Sequence, residues 1–159
     1  MREPDVLGKN NKREGVQVLV SQILKEKGDL VFTASPHETI AAAAALLHAR
    51  KVGAMVVVEH GDVVGILSER DVVRVVAEGG ENALSQPISS CMTRDVIFAA
   101  PHEAVDLLLN RMTDRKIRHL PVVVGGRLAG IISIGDLVKH KISEISAEAD
   151  GLKAYIAAG

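Results

Sequence analysis

The sequence predicts an α/β (α+β) fold made of two copies of one strand–helix–strand–strand–helix unit, and an internal duplication is the first reason. Residues 31–73 align with residues 96–138 without a gap, and fifteen of the 43 aligned positions are identical. The segment from Gly65 to Asp71 (GILSERD) returns 65 positions later as Gly130 to Asp136 (GIISIGD). A repeat this regular sets the architecture of the whole chain.

The composition is the second reason. Apolar residues make up 47% of the chain and aromatic residues 2%, with no Trp. The core must therefore consist of Val, Ile, Leu and Ala, which suits buried strands packed on helices. One copy of roughly 60 residues buries too little surface to be stable alone, so we expect the two copies to share one core.

The apolar pattern predicts the elements of the first copy in order. Residues 1–15 are polar and charged and are predicted to form a flexible arm. A helix is then predicted from Val16 to about Lys27, because apolar residues recur at helical spacing. The repeat follows as strand, helix, strand, strand and helix at residues 30–33, 37–51, 54–59, 63–67 and 69–78. We expect Ser35-Pro36 to cap and start its first helix, and His60-Gly61-Asp62 to form the turn between the consecutive strands.

The second copy repeats this plan, with Gly125-Gly126 as its hairpin turn. Its elements are predicted at residues 95–98, 102–116, 120–124, 128–132 and 135–146. We place the boundaries of the two repeats at residues 16–82 and 83–146, followed by a helical tail at residues 147–159. Apolar residues recur in and before this tail at helical spacing, which leaves open whether the tail caps the core or presents an apolar stripe to a partner.

Charge and cysteine content exclude several classes of protein. The formal net charge is −1, so there is no basic excess for a general nucleic-acid binder. The single cysteine, Cys91, gives no disulfide framework and suits a reducing compartment. The longest apolar run, residues 40–47, is too short to span a bilayer, and the histidines lack metal-ligand spacing. We therefore expect a cytoplasmic protein with no metal, no membrane contact and no nucleic-acid partner.

The repeated Ser-x-x-Asp pair has two interpretations. Ser68 and Asp71, like Ser133 and Asp136, stand where an apolar strand becomes a helix. In the first interpretation each pair only caps its helix. In the second, the serine at a helix N-terminus binds phosphate and the aspartate binds ribose hydroxyls. The sequence has no nucleophile elbow, dinucleotide fingerprint or Walker A motif, so we expect no enzymatic activity.

The tandem Gly-h-h-Ser-x-x-Asp motif (h, apolar), together with the strand entry Arg118-His119-Leu120-Pro121-Val122, resembles a pair of CBS domains. These are adenosine-ligand sensing modules named after cystathionine β-synthase. The resemblance covers residues 16 to about 146. It implies two repeats packed with pseudo-twofold symmetry, two nucleotide clefts between them, and a homodimer that packs through its helices.

The resemblance also implies the residues of each cleft. In the fuller site, Ser133 and Asp136 would hold ribose and phosphate, with Arg118 and His119 near the phosphates. The base pocket of that site would come from the first copy, at Ser35, Ile40 and Val52.

The second site would be built on the motif of the first copy. Ser68 and Asp71 would bind the ligand, and Arg70 would supply a cation. The base pocket would come from the second copy, at Ala100, Val105 and Ile117. Leu67 and Ile132, which precede the two motif serines, complete the predicted set.

The two copies differ at the strand entry, where Arg118-His119 align with Gly53-Ala54. Cationic groups make strong charge-assisted bonds with phosphate, so we predict that the site built on Ser133 binds the tighter or more highly phosphorylated ligand. The predicted function is a regulatory module that binds AMP, ADP, ATP or NAD and signals to a protein partner through conformational change. The alternative is a structural or interaction dimer with empty clefts. These residues do not distinguish AMP from NAD or S-adenosylmethionine.

Overall fold

The computed structural model describes residues 17–159, so the predicted flexible arm and Val16 lie outside the described residues. The first copy contains the elements α1 (Val20–Lys27), β1 (Thr33–Ala34), α2 (Ile40–Arg50), β2 (Ala54–Glu59), β3 (Asp62–Ser68) and α3 (Glu69–Gly79). Two short 3₁₀ turns, Gly80–Ser85 and Ile88–Ser90, link it to the second copy. There follow α4 (Val105–Arg115), β4 (His119–Val124), β5 (Arg127–Ser133) and α5 (Ile134–Ala158). The predicted mixture of helices and strands in two repeats is confirmed.

The strands form one small sheet in each copy. β2 and β3 pair antiparallel, β1 adds to β2 in parallel, and β4 and β5 pair antiparallel. Both hairpins turn through two residues with positive φ, His60-Gly61 and Gly125-Gly126; Asp62, predicted in the first turn, is the first residue of β3.

The first strand of each copy is shorter than predicted. β1 covers Thr33–Ala34 rather than residues 30–33. The strand predicted at residues 95–98 is absent, and only Ala99 makes a parallel bridge, to Val122. Leu30 and Phe98, at the far ends of these predicted strands, are exposed, so the composition suggested longer strands than the pairing allows.

Three helices begin later than predicted, two of them because a local turn precedes them. In the first copy Ser35 is not the helix cap. Its backbone N–H donates to Glu38, its Oγ accepts from the N–H of His37, and Thr39 caps α2 instead. In the second copy the N–H of Ala100 donates to Glu103 in the same way. α1 begins at Val20 because Leu19 is extended and bridges to Ala104.

The two copies have separate cores that exchange their entry segments. Val20 and Ile23 of α1 are buried in the core of the second copy, whereas Ile88 and Met92 from the linker are buried in the core of the first. Matching backbone bonds fix this exchange, from Val20 N to Glu103 O (3.0 Å) and from Ile88 N to Glu38 O (2.8 Å). The expected single shared core is therefore replaced by two cores that are tied together by crossing segments. The predicted domain boundaries stay predictions.

The last helix runs without a break from Ile134 to Ala158. It therefore includes the segment that we had predicted as a separate tail. Its apolar side chains Ile142, Ile145, Leu152 and Ile156 are exposed, so this stripe does not cover the core of its own chain.

Candidate ligand clefts

Both Ser-x-x-Asp motifs form complete helix caps. Ser133 N donates to Asp136 Oδ2 (2.8 Å), and Asp136 N donates to Ser133 Oγ (3.2 Å). The pair Ser68 and Asp71 repeats these bonds at 2.9 and 3.3 Å. The capping interpretation is therefore correct for both motifs. It does not exclude a ligand, because Asp136 Oδ1 makes no hydrogen bond within residues 17–159 and remains available as an acceptor.

Two clefts lie between the copies, and each combines the motif of one copy with the strand entry of the other. The first, here named the Ser133 cleft, has a volume of about 270 Å³. Its walls are Lys27, Leu30, Phe32, Lys51, Val52, Gly53, Ala54, His119, Ile131 and Ser133. The second, the Ser68 cleft, has a volume of about 200 Å³. Its walls are Ile66, Ser68, Arg70, Asp71, Thr93, Lys116, Ile117, Arg118 and His119.

More than half of the predicted site residues line these clefts. Val52, His119 and Ser133 line the Ser133 cleft, with Asp136 joined to it through Lys27. Four residues predicted for the other site line the Ser68 cleft together, namely Ser68, Asp71, Arg70 and Ile117.

Arg118 lies in the other cleft from the one expected. It lines the Ser68 cleft, although its carbonyl accepts a bond from Ile134 N beside Ser133. Arg118 immediately precedes β4, whose first residue, His119, pairs with Ser133 and lines both clefts. This placement removes our reason for expecting the Ser133 cleft to bind the more highly phosphorylated ligand.

Seven predicted residues line neither of these two clefts, and one of them, Asp136, contacts the Ser133 cleft only through Lys27. Ile40, Val105, Leu67 and Ile132 are at most 2% exposed and belong to the two hydrophobic cores. Their side chains pack in the cores, and a ligand contact from these four residues stays a prediction. Ser35 and Ala100 are half-buried in the turns before α2 and α4, where their backbones bond Glu38 and Glu103.

The two strand entries meet where the copies differ in sequence. A Cβ on Gly53 would lie 3.0 Å from His119 Cε1 and 3.1 Å from Nε2. The absence of a side chain at position 53 therefore makes room for the imidazole, which lines both clefts. Burial lowers the pKa of His119, and the charges of Arg118 and Lys27 lower it further against the opposing effect of Glu69 and Asp136. The imidazole is accordingly neutral at pH 7 in the unliganded protein.

Lys27 adds a cation that the sequence did not reveal. Its Nζ donates to Asp136 Oδ2 (2.7 Å) and to the carbonyl of Ile131 (2.9 Å). Burial of Asp136 would raise the pKa of its carboxyl, but the hydrogen bonds from Lys27 and Ser133 outweigh burial and lower it. Asp136 is therefore a paired carboxylate at neutral pH.

Several of the wall residues were missed, and only some carried a signal in the sequence. Ile66 and Ile131 stand two positions before the motif serines, so strand alternation places them on the same face as those serines. Lys51 and Lys116 belong to the duplicated Arg-Lys pair at the ends of α2 and α4. No pattern pointed to Lys27, because its partner Asp136 is 109 positions away in the chain.

Within residues 17–159, no group of three or more His, Cys, Asp or Glu side chains is placed to hold a metal ion. Across the same range, none of the helices combines the length and the apolar character needed to cross a bilayer.

Comparison with known families finds two matches to the CBS-domain model, at residues 28–78 and 88–143. The chain is 36% identical to the CBS domain-containing protein YhcV of Bacillus subtilis over 118 residues, which is 74% of this chain and 83% of that protein.

Solved structures show the same arrangement. A CBS-domain containing protein from Agrobacterium tumefaciens superposes with a TM-score of 0.77 at 44% identity, covering 80% of this chain and 96% of its own. The CBS domain pair of protein MJ0100, solved in complex with 5′-methylthioadenosine and S-adenosyl-L-methionine, superposes with a TM-score of 0.71 at 29% identity. That match covers 80% of this chain and 98% of the other.

Proposed function

This chain belongs to the CBS-domain family, and we propose that it is a regulatory module that binds an adenine nucleotide in the clefts between its two repeats. The observation that carries the proposal is the composition of the clefts. Each joins the motif serine of one copy to a strand entry from the other that carries Lys51 or Lys116, so a ligand bound there touches both copies.

The walls of the Ser133 cleft suit the parts of a nucleotide. Leu30, Phe32 and Val52 form an apolar side for the base, and the side chain of Leu30 is 72% exposed. The Asp136 carboxylate suits the ribose hydroxyls, since a carboxylate accepts two hydrogen bonds from a diol. Lys27 and Lys51 supply positive charge for phosphate.

The Ser68 cleft has a more basic wall. Arg70, Lys116 and Arg118 surround Ser68 and Asp71, whereas its apolar side is limited to Ile66 and Ile117. We therefore propose that this cleft favours the more highly phosphorylated ligand, which reverses our expectation from the sequence.

The size of the clefts limits the ligand. At about 270 and 200 Å³ they fall slightly below the roughly 300–1,000 Å³ of drug-sized sites. Each therefore suits one adenosine moiety with its phosphates directed outward, as in AMP, ADP or ATP, or the adenosine half of NAD. The complex of protein MJ0100 with two adenosine compounds supports this class of ligand.

The proposed mechanism is a linkage between ligand and conformation. A ligand that touches both copies favours one relative arrangement of the repeats, and a protein partner that prefers the same arrangement then binds more tightly. We propose no catalytic step for either cleft. A cytoplasmic location stays our prediction and rests on the free, buried thiol of Cys91.

We further propose a homodimer. Val73 on α3 and Val138 and Ile142 on α5 are exposed apolar side chains on helices, with exposures of 68%, 43% and 60%. A second copy would cover them, because large apolar groups on helix surfaces mark contact sites.

Thermal melting with and without AMP, ATP, NAD and adenosine tests the proposal. A ligand at 100 times its Kd adds about 2.7 kcal/mol to the free energy of unfolding and raises the melting temperature. The double variant Ser68→Ala, Ser133→Ala is expected to lose this shift. Melting curves that none of the four compounds changes would contradict the proposal.

A second candidate, a structural dimer with empty clefts, is favoured by one observation. Both Ser-Asp motifs are complete capping boxes and so have a structural role without any ligand. This candidate predicts that Ser133→Ala lowers stability by about 1 kcal/mol and that no adenosine compound changes the melting temperature.

A further inference from the structure

The flexible side chain of Lys27 is held at the Ser133 cleft by two hydrogen bonds that its ammonium group donates. Its Nζ lies 2.7 Å from Asp136 Oδ2 and 2.9 Å from the carbonyl oxygen of Ile131. An ammonium group has three donors, so these bonds leave one N–H for a further acceptor. The side chain of Lys27 is one-third exposed, so it can change partners without a change in the fold.

Lys27 and the ribose of a bound nucleotide would compete for the same acceptor, the carboxylate of Asp136. Asp136 Oδ2 already accepts from both Lys27 and Ser133 N, and its side chain is 23% exposed. A ribose diol that binds Asp136 would therefore weaken the bond to Lys27. The released ammonium would then stay in the cleft, where a phosphate of the same ligand is a stronger acceptor than water.

The Ser68 cleft has no equivalent cation from its entry segment. Asp71 Oδ2 accepts from the N and Oγ of Ser68, at 2.9 and 3.0 Å, and its nearest cation is Arg74 of the same helix. The entry segments correspond by their backbone bonds, since Val20 N bonds Glu103 O and Ile88 N bonds Glu38 O. By the same correspondence, Asp95 is the residue of the second entry segment that is equivalent to Lys27, so the two clefts differ in charge at this point.

We propose that Lys27 determines the specificity of the Ser133 cleft for phosphorylated adenosine compounds, by moving from Asp136 to the phosphate when the ribose takes Asp136. This inference rests on the proposed function. It also gives α1 a part in ligand binding, because Lys27 is the last residue of that helix and reaches the cleft from the crossing segment. Adenosine, which breaks the same ion pair without offering a phosphate, is then a poor ligand.

Titration calorimetry with adenosine and AMP tests the inference, since the two compounds differ only in the phosphate. The measurements are made in a Ser68→Ala chain, so that the heat reports the Ser133 cleft. Lys27→Gln is compared with Lys27→Arg, which keeps the charge, and with Lys25→Gln, an exposed lysine of the same helix that lines neither cleft. Thermal melting of each variant establishes that it is folded.

We expect Lys27→Gln to reduce the ratio of AMP affinity to adenosine affinity by about tenfold or more, the loss of one charge-assisted bond. Its adenosine affinity does not fall, because Asp136 is freed. Lys27→Arg and Lys25→Gln keep most of the ratio. An unchanged ratio in Lys27→Gln, or a parallel fall in both affinities, overturns the inference and leaves the proposed function standing. If the Ser68→Ala chain binds neither compound, this inference fails, and thermal melting of the wild type with AMP, ATP, NAD and adenosine decides the proposed function separately.

Discussion

Leu24 of α1 lies directly over Gly130 of β5, with its Cδ2 atom 2.6 Å from the position that a Cβ would take on that glycine. Gly65 has the same relationship with Met92, whose Sδ atom is 2.7 Å from the corresponding point. The first residue of each repeated motif is therefore glycine because an entry segment crosses the strand there. No turn or positive φ requires it.

Replacing Gly130 by alanine is expected to destabilise the protein. The added methyl group must displace Leu24, and overpacking of this kind costs about 1–3 kcal/mol. Gly151→Ala is the matched control, since Gly151 lies inside α5 with nothing within 4 Å of the added atom. That change is expected to stabilise by roughly 0.5–1 kcal/mol if it acts through helix propensity. Urea unfolding measures both free energies, and equal effects of the two variants would contradict the close contact.

Arg118 is predicted to serve the Ser68 cleft. Arg118→Gln should therefore weaken nucleotide binding in a Ser133→Ala chain by about tenfold, the usual contribution of a charge-assisted bond. In a Ser68→Ala chain, where only the Ser133 cleft remains, the same change should have little effect. Calorimetry on the four chains compares the effect of Arg118→Gln in the two backgrounds. If Arg118→Gln instead weakened binding only in the Ser68→Ala chain, the Arg118 guanidinium would serve the Ser133 cleft, as the sequence predicted.

His119 is predicted to make nucleotide binding stronger at lower pH. Burial, Arg118 and Lys27 lower the pKa of His119, against Glu69 and Asp136, so the imidazole is neutral at pH 7. A bound phosphate raises this pKa again, and binding then takes up a proton as the pH falls below about 6.5. The ratio of AMP affinities between the wild type and His119→Gln should rise from pH 7.5 to pH 6.

Taking this ratio cancels the titration of the phosphate itself, whose second pKa is about 6. The free energy of unfolding gives an independent readout with the opposite sign. Because the pKa of His119 is lowered in the folded protein, the unfolded chain binds the proton more readily below pH 6.5, and the wild type loses stability there relative to His119→Gln. Parallel pH profiles of the two proteins in both experiments would remove His119 from the site.

The exposed apolar face of α5 is predicted to hold the dimer together. Ile142→Glu introduces a charge at a side chain that is 60% exposed in one copy, so the fold of the copy is kept while its contact with the second copy is lost. Size-exclusion chromatography with light scattering should give twice the chain mass of 16.9 kDa for the wild type and the single mass for the variant. Lys139→Glu, an exposed position on the same helix, is the control. A wild-type chain that runs as a monomer would disprove the dimer.

Much of the fold followed from local patterns. The hairpins at His60-Gly61 and Gly125-Gly126 and the start of α3 and α5 at Ser68 and Ser133 are set by residues within a few positions of each other. The helix start at residue 37 was wrong because Ser35 and Glu38 form a turn instead of a cap. A distant segment also bonds the start of α2, because the N–H of Ile40 donates to the carbonyl of Gln86 in the linker.

By itself, the sequence determined the repeat, its α/β plan and the Ser-Asp motifs, because duplication and capping are properties of neighbouring residues. The tertiary structure alone decided which parts of the copies form each cleft. Arg118 of the second copy lines the Ser68 cleft beside Ser68 and Asp71 of the first copy. Lys27 reaches Asp136 since α1 crosses to the second copy. Both relationships join segments that are far apart in sequence, and no local pattern records them.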